Sequence, residues 1–453
     1  MKLILPFLLF SLQSFAQLTI IEDMIEGRNA HTASTVMMNG NTPGALICGG
    51  YDGSQALQSA EWYNAATDNW NSLGDMESTR MDHAATAYND GDYVLITGGF
   101  NGFSENLNST EIFNATDGTF EMGPAMSYGR SFHSSTLLED VNGTDYILVC
   151  GGFDGFEELA ACERLNLSTM QWESAGTMNL GRSSFSIARL DDGKYLLAGG
   201  FNANAGFQLS ACEIYDPIAN SWTLAAFMEH SRDNHASVEL YDGKILVAGG
   251  RRYNGDLNLF EGMIECEYYD AIADEWTEAP DLLAPQSYCQ MLYSLDSYYL
   301  LAGGVDHTGQ DVETTTTPSI EYFHPFTFWF TVELLYPEGR YKYAMTRLPD
   351  GILVCGGEDG DPSGELYTGY LDQEEKEVEL PLIFPNPCKD ILRFATDQPM
   401  SCTLQEMGGK TVFSGRVGIS GSLDLSQLAE GVYTVQTTDF QGKQSLQKLV
   451  LSR

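Results

Sequence analysis

Short apolar runs that end in paired glycines recur along the chain, at Gly49-Gly50, Gly98-Gly99, Gly151-Gly152, Gly199-Gly200, Gly249-Gly250, Gly303-Gly304 and Gly356-Gly357. The steps between them are 49, 53, 48, 50, 54 and 53 residues, and a period near 50 marks a repeat architecture. Beyond each pair comes a polar loop, then a strand holding one glutamate: Glu61, Glu111, Glu163, Glu213, Glu267, Glu321 and Glu365. Two positions on stands an apolar or aromatic residue: Tyr63, Phe113, Leu165, Tyr215, Tyr269, Phe323 and Tyr367. Seven further, in six of the seven units, comes a large aromatic: Trp70, Phe120, Trp172, Trp222, Trp276 and Phe330. This punctuation predicts short antiparallel strands joined by tight turns.

Counted on from that aromatic, the sixth position holds Met76, Met126, Met178, Met228, Leu282 and Tyr336. The tenth holds Arg80, Arg130, Arg182, Arg232, Gln286 and Arg340, and the thirteenth His83, His133, Phe185, His235, Cys289 and Tyr343. A register held through six units without insertion predicts one structural unit repeated. With arginine, apolar strand, Gly-Gly, Glu-x-Tyr, Trp and Met in that order, the stretch from about 18 to 370 resembles the Kelch family, which implies an all-β, seven-bladed propeller. Gln286 in place of an arginine, and a seventh unit without its Trp strand, depart from the pattern. Each unit then reads as four antiparallel strands that hide their faces by packing blade on blade, and a closed ring leaves no exposed edge. The paired glycines fit where backbones approach too closely for a side chain. The seventh unit stops after Glu365-Leu366-Tyr367, yet the stretch starting at Leu18 carries Met24 at its sixth, Arg28 at its tenth and His31 at its thirteenth position. An N-terminal strand is therefore expected to complete blade seven and staple the ring shut.

The two ends of the chain carry different text. Met1-Lys2, an apolar run to Leu12 and Ser14-Phe15-Ala16 have the layout of a secretory signal cut before Gln17. No later stretch is long and apolar enough for a membrane span. Residues 371–381 read as an acidic linker, and 382–453 as short strands of a small β-sandwich. Pro385-Asn386-Pro387, Gly409-Lys410-Thr411-Val412, Leu423-Asp424-Leu425-Ser426, Leu428, Gly431-Val432-Tyr433 and Lys448-Leu449-Val450 resemble the C-terminal sorting domain of the type IX secretion system of Bacteroidota, with Glu406 where that family more often has Asp. The resemblance implies contact with the type IX machinery, export across the outer membrane and a secreted or cell-surface location. The organisation expected is a signal peptide (1–16), a propeller (17–370), the linker (371–381) and a sorting domain (382–453).

Composition adds charge to this picture. Over 453 residues, 23 Lys+Arg stand against 63 Asp+Glu, a formal charge of −40 that repels polyanions and excludes a nucleic-acid binder. Hydrophobic residues at 43% are enough to bury a core, so the acidity is not that of a disordered tail. Six of the few cations fall on one repeat position: Arg28, Arg80, Arg130, Arg182, Arg232 and Arg340. The Kelch resemblance puts that position at the channel rim, where a ring of guanidinium forks would suit a carboxylate, sulfate or acidic sugar. The competing reading pairs each arginine with a repeat glutamate inside the blade, and it weighs more because a residue needed in every blade usually serves the blade. Loop residues that break the repeat are further ligand candidates: Arg251, Arg252 and Tyr253, Asp306 with His307, and the aromatic stretch 326–330.

Four of the seven histidines, His31, His83, His133 and His235, share one position after the arginine. Convergence on a metal is weighed against hydrogen bonding within each inner strand, which regular placement explains better. Galactose oxidase has this propeller type, but its copper constellation has no match here. Acidic loops such as Asp52-Gly53 and Asp191-Asp192-Gly193 lack calcium-loop spacing and read as solvated turns. Of nine cysteines, Cys150 with Cys162 and Cys388 with Cys402 are possible pairs. No catalytic residue, cofactor or metal is implied. The expected function is binding of a protein or glycan at the propeller rim; the alternative is a sugar-processing propeller enzyme resembling the sialic-acid mutarotases, with a Glu/Arg pair at the channel mouth.

Overall fold

The second strand of each unit is apolar at consecutive positions rather than alternate ones, as a strand covered on both faces must be. In the computed structural model Tyr93–Thr97, Tyr146–Cys150, Ile245–Ala248 and Gly351–Cys355 are buried along almost their whole length. The structure describes residues 17–451 except 140, 256–258, 295–297, 307–314, 317–318, 325–328, 336–339, 358–359, 369–381, 385–390, 396–399, 407–409, 418–421, 426–427, 430 and 439–443. The linker residues 371–381 therefore lie outside the described residues.

Blade 1 pairs Thr32–Met38, Thr42–Cys48, Ala60–Asn64 and Asn69–Ser72 in chain order, all antiparallel. Five more four-stranded sheets repeat this plan. Blade 7 is assembled from both ends of the propeller: Ala344–Leu348, Gly351–Cys355 and Gly364–Thr368 are completed by Gln17–Ile20, with Gln17 opposite Thr368 and Ile20 opposite Glu365. The first strands of the blades touch in ring order, and that of blade 7 touches that of blade 1. The expected seven blades and N-terminal closure are both observed.

Apolar side chains of neighbouring blades interdigitate. Leu46, Cys48, Ala60 and Met76 of blade 1 form one cluster with Val94, Ile96 and Phe113 of blade 2. At the seam, Ile21 and Met24 join Ala45, Ile47 and Tyr63 of blade 1 and Leu353 and Cys355 of blade 7. The repeat tryptophans add a directed bond between blades. Trp172 Nε1 donates to the Pro124 carbonyl at 2.7 Å, Trp222 to Ala175 at 2.8 Å and Trp276 to Ala226 at 2.8 Å. Trp70 reaches Glu22 of the N-terminal segment at 2.6 Å, so the staple carries the same bond.

Blades 4, 5 and 6 insert a small hairpin between their second and third strands: Phe201–Asn202 with Phe207–Gln208, Arg251–Asn254 with Leu259–Gly262, and Val305–Asp306 with Thr315–Thr316. The three touch in series. In the C-terminal segment, Leu382–Phe384, Ile391–Ala395 and Ser422–Asp424 form one sheet; Thr411–Val417, Met400–Glu406, Gly431–Thr438 and Gln444–Leu451 form another. Leu423 of the first, and Leu425 just beyond it, cluster with Cys402, Leu404, Tyr433 and Val435 of the second.

Candidate functional site

Each arginine of the ring turns into its blade. Arg80 Nη1 donates to the Gly98 carbonyl at 2.7 Å and Nη2 to Glu111 Oε1 at 2.6 Å, while Glu111 accepts the backbone N–H groups of Glu77 and Ser78. The same lock joins Arg28 to Glu61 (2.7 Å), Arg130 to Glu163 (3.0 Å), Arg182 to Glu213 (2.8 Å), Arg232 to Glu267 (2.8 Å) and Arg340 to Glu365 (2.6 Å). The first five arginines are 0% exposed. Their backbone carbonyls reach the preceding blade: Gly50 N–H donates to Arg80 at 2.8 Å, Gly99 to Arg130, Gly152 to Arg182, Gly200 to Arg232, and Gly357 closes the ring on Arg28. This approach is why the diglycine is needed: a Cβ on Gly49 (φ +62) would stand 2.5 Å from the Arg80 carbonyl oxygen, and one on Gly50 (φ +101) 2.6 Å from that of Asn29. The rim position implied for these six arginines by the family resemblance is thus corrected to an interior one. Their forks face carboxylates and carbonyls, and a ligand taking them would strand a buried carboxylate. A Glu/Arg pair opening on the channel, which the sugar-processing alternative asked for, is not supplied by this ring.

Gln286 holds the lock position of blade 6 and donates from Nε2 to Glu321 Oε1 at 2.9 Å. Among the described residues Glu321 lacks the cation its counterparts have, and burial raises its carboxyl pKa against the bonds from Leu283, Ala284 and Gln286. Burial also raises Glu365, with Arg340 opposing.

Two residues beyond each lock position the chain passes through the left-handed region: Ala30 (φ 51), Asp82 (51), Phe132 (54), Ser184 (52), Asn234 (49), Tyr288 (56) and Lys342 (55). The turn stitches blades together, because Asp82 N–H donates to the Ala30 carbonyl, Phe132 to Asp82, Ser184 to Phe132, Asn234 to Ser184, Tyr288 to Asn234 and Ala30 to Lys342. Glycine adopts such φ values freely, whereas a bulky side chain held there is an outlier costing on the order of 1–3 kcal/mol. The ring nonetheless carries seven different side chains. All seven line one cavity of about 270 Å³ at the channel mouth, with His31, His83, His133, Phe185, His235, Cys289 and Tyr343 at the next position. Lys342 Nζ stands 3.9 Å from Asp82 Oδ1 there.

Three of the histidines bond to the preceding blade rather than within their own inner strand as expected: Nε2 of His83 meets Thr32 Oγ1 (2.9 Å), that of His133 Thr97 Oγ1 (2.8 Å) and that of His235 Ser186 Oγ (2.8 Å). Burial, reinforced by the neighbouring lock arginines, pulls His83 and His235 down to a pKa of about 3 and His31 and His133 well below the usual value. They are neutral hydrogen-bonding groups at physiological pH.

Beside the mouth, and sharing Phe132, Ser184 and Tyr288 with it, lies a second cavity of about 270 Å³ walled by Phe153, Phe201 and Glu158 and floored by Asp233 and Arg251. Arg251 meets Asp233 through Nε (2.9 Å) and Nη2 (3.2 Å), and its guanidinium lies over the rings of Phe260 (4.6 Å) and Tyr288 (5.3 Å). Asp233 is 0% exposed, and burial raises its carboxyl with Arg251 opposing.

Among the loop candidates, Arg251 therefore reaches a cavity. Arg252, next along the hairpin, is held by Glu261 (2.6 Å) and Glu265 (3.0 Å), and Tyr253 packs between Phe207, tilted against it, and Phe260, edge-on to it. His307 and residues 326–328 lie outside the described residues, and Phe330 is buried in blade 6. Asp52 Oδ1 caps its own turn by accepting from the N–H groups of Ser54 and Gln55. Cys150 and Cys162 stand directly opposite on paired strands as free, buried thiols; Cys402 is likewise free, and Cys388 lies outside the described residues. Sequence reasoning missed the left-handed ring. Both columns between arginine and histidine change residue type without rule, and nothing in the second marks its left-handed backbone.

Comparison with known proteins matches residues 30–250 to the KLHDC2/KLHL20/DRC7 Kelch-repeats domain and residues 382–452 to the Secretion system C-terminal sorting domain. The Kelch repeat-containing protein kel-10 of Caenorhabditis elegans is 27% identical over 162 residues, 35% of this chain and 28% of that protein. The chain thus spans under a third of the length of the curated relatives it matches. A solved structure titled as a novel fungal alcohol oxidase with catalytic diversity among the AA5 family, in complex with copper, superposes with a TM-score of 0.60 at 14% identity, covering 97% of this chain and 99% of that one. The structure of YjhT gives 0.50 at 16% identity, covering 69% and 99%. At such identities both similarities concern the fold alone. The copper is the oxidase's own: among the described residues no three His, Cys, Asp or Glu side chains gather as a metal set.

Proposed function

Because the chain is a Kelch-repeat β-propeller protein carrying a secretion-system C-terminal sorting domain, we propose that it acts outside the cytoplasm as a binding module, taking a protein or glycan group at the channel mouth. The observation that carries this reading is the ring of seven left-handed residues without a glycine. A position whose backbone favours glycine, occupied instead by Ala, Asp, Phe, Ser, Asn, Tyr and Lys, keeps side chains for what they touch. Phe132 and Tyr288 supply apolar faces shared by both cavities, Asp82 and Lys342 supply charge, and Arg251 with Asp233 supplies an oriented polar floor. Few polar groups set in aromatic walls are the composition of a ligand pocket.

The test is a glycan array and a panel of surface proteins screened with the full mature chain, followed by NMR on any captured sugar. Binding without chemical change supports a module, and turnover would replace it with an enzyme. Phe132→Gly should weaken binding roughly tenfold while changing stability by about 1 kcal/mol or less, since the lost contacts are offset by relief of the backbone. Unchanged affinity in Phe132→Gly and Tyr288→Ala together would move the site elsewhere.

A further inference from the structure

Two loops on the face of the channel mouth end in unpartnered phenylalanines. Phe103 is 85% exposed and Phe156 93%, whereas Phe207 at the corresponding hairpin of blade 4 is 40% exposed and packs on Phe201 and Tyr253. Their local sequences are near copies, Phe100-Asn101-Gly102-Phe103-Ser104-Glu105 in blade 2 and Phe153-Asp154-Gly155-Phe156-Glu157-Glu158 in blade 3. Both tips are rigid. Asn101 Oδ1 accepts the N–H groups of Phe103, Ser104 and Glu105, and Asp154 Oδ1 those of Phe156 and Glu157. Between them runs the connection carrying half-exposed Tyr128: Arg130 N–H bonds Leu107 of the first loop, and its guanidinium reaches Gly151 of blade 3. A single exposed phenylalanine needs no explanation, but a pair repeated at fixed loop positions in adjacent blades, with an aromatic between, is a presented surface.

The electrostatics select its occupant. Residues 17–178 contain four cations, Arg28, Arg80, Arg130 and Arg164. The first three are 0% exposed in their locks, and the fourth is 12% exposed and held by Glu173. Glu77, Glu105 and Glu157 meanwhile stand exposed, the last two within two residues of the aromatic tips. Apolar anchors on blades whose own residues expose no cation fit a partner whose apolar sites are rimmed by lysine or arginine. We propose that Phe103, Tyr128 and Phe156 form a docking surface for a cationic, amphipathic protein segment, separate from the ligand cavities at the channel mouth.

The test measures, by fluorescence anisotropy, binding of the full mature chain to a short synthetic peptide alternating lysine and leucine. Peptides alternating lysine with serine and glutamate with leucine serve as controls. The lysine–leucine peptide should bind and both controls should bind at least about tenfold more weakly, as expected when anchors and charge each contribute a hot spot. Phe103→Ser with Phe156→Ser should cut its affinity roughly tenfold, and Glu105→Gln with Glu157→Gln should weaken it and flatten its salt dependence. The melting temperature should stay put, because these side chains lie in solvent. Tyr288→Ala should leave the peptide affinity unchanged, so a failure of the channel-mouth reading is told apart from a failure here. Absent binding, equal binding of the glutamate–leucine peptide, or indifference to the phenylalanine pair would each overturn the proposal.

Discussion

Burial pulls His83 and His235 to a pKa of about 3, aided by Arg80 and Arg232, and holds His31 and His133 well below the ordinary range. A histidine depressed in the folded state binds its proton first in the unfolded chain. Its contribution to stability is therefore complete above the unfolded value near 6.5 and is lost as the pH falls toward the folded value. Each of the four adds a slope of up to about 1.4 kcal/mol per pH unit in that window. Glu239, raised to about 7 by burial and by its hydrogen bond to Asp191, works in the opposite direction and offsets part of the slope. Urea midpoints taken between pH 7.5 and 5 should fall steadily, and replacing His83 and His235 with Asn should flatten the trend. A pH-independent midpoint would mean the histidines are not buried as neutral groups. The histidine column was legible in the sequence because its chemistry repeats. The left-handed column was not, because only its backbone repeats and no residue type advertises it.

At the scale of one blade, the lock ties the entering connection to the third strand through one carboxylate. Breaking a buried pair by deleting one partner typically costs about 3–5 kcal/mol, so Arg182→Ala, which strands Glu213, should destabilise by that order in urea melts. Blade 6 offers the reciprocal change. Glu321 has a raised pKa, so its favourable contribution exists below the unfolded value near 4.5 and is lost as the pH rises through the folded one. At neutral pH its charge is a liability that Gln286 meets with an amide. Gln286→Arg should stabilise the chain by about 1–2 kcal/mol at pH 7, the worth of a charged hydrogen bond over a neutral one, and by less at pH 4. An equal gain at both pH values would show that the arginine acts by packing. The departure at Gln286 was visible in the sequence, but the weight of the lock was not: the arginines' depth follows from diglycines in the neighbouring blade, which only the assembled ring brings into contact.

Across the whole molecule the seam is where order is least redundant, since Gln17–Ile20 is joined to its sheet from the far end of the propeller. Removing residues 17–24 would bare the edge of Gly364–Thr368 and withdraw Ile21 and Met24 from their cluster, about 3–6 kcal/mol for the two side chains before the edge is counted. Calorimetry should show a lower melting temperature in one cooperative step, and an unchanged melt would disprove the staple. This closure was readable beforehand because Met24, Arg28 and His31 keep the repeat register; the hairpins of blades 4 to 6 were not, since their polar sequences resemble loops. The direction of the seam strands has a consequence for how the molecule can be held. Gly364 pairs with Cys355 beside the diglycine, and Tyr367 with Ile352 toward the opposite end, so the chain leaves the ring at Thr368 on the side away from the channel mouth, next to Gln17. A propeller moored through its C-terminal segment would therefore hold its back to the mooring and its open side to whatever passes.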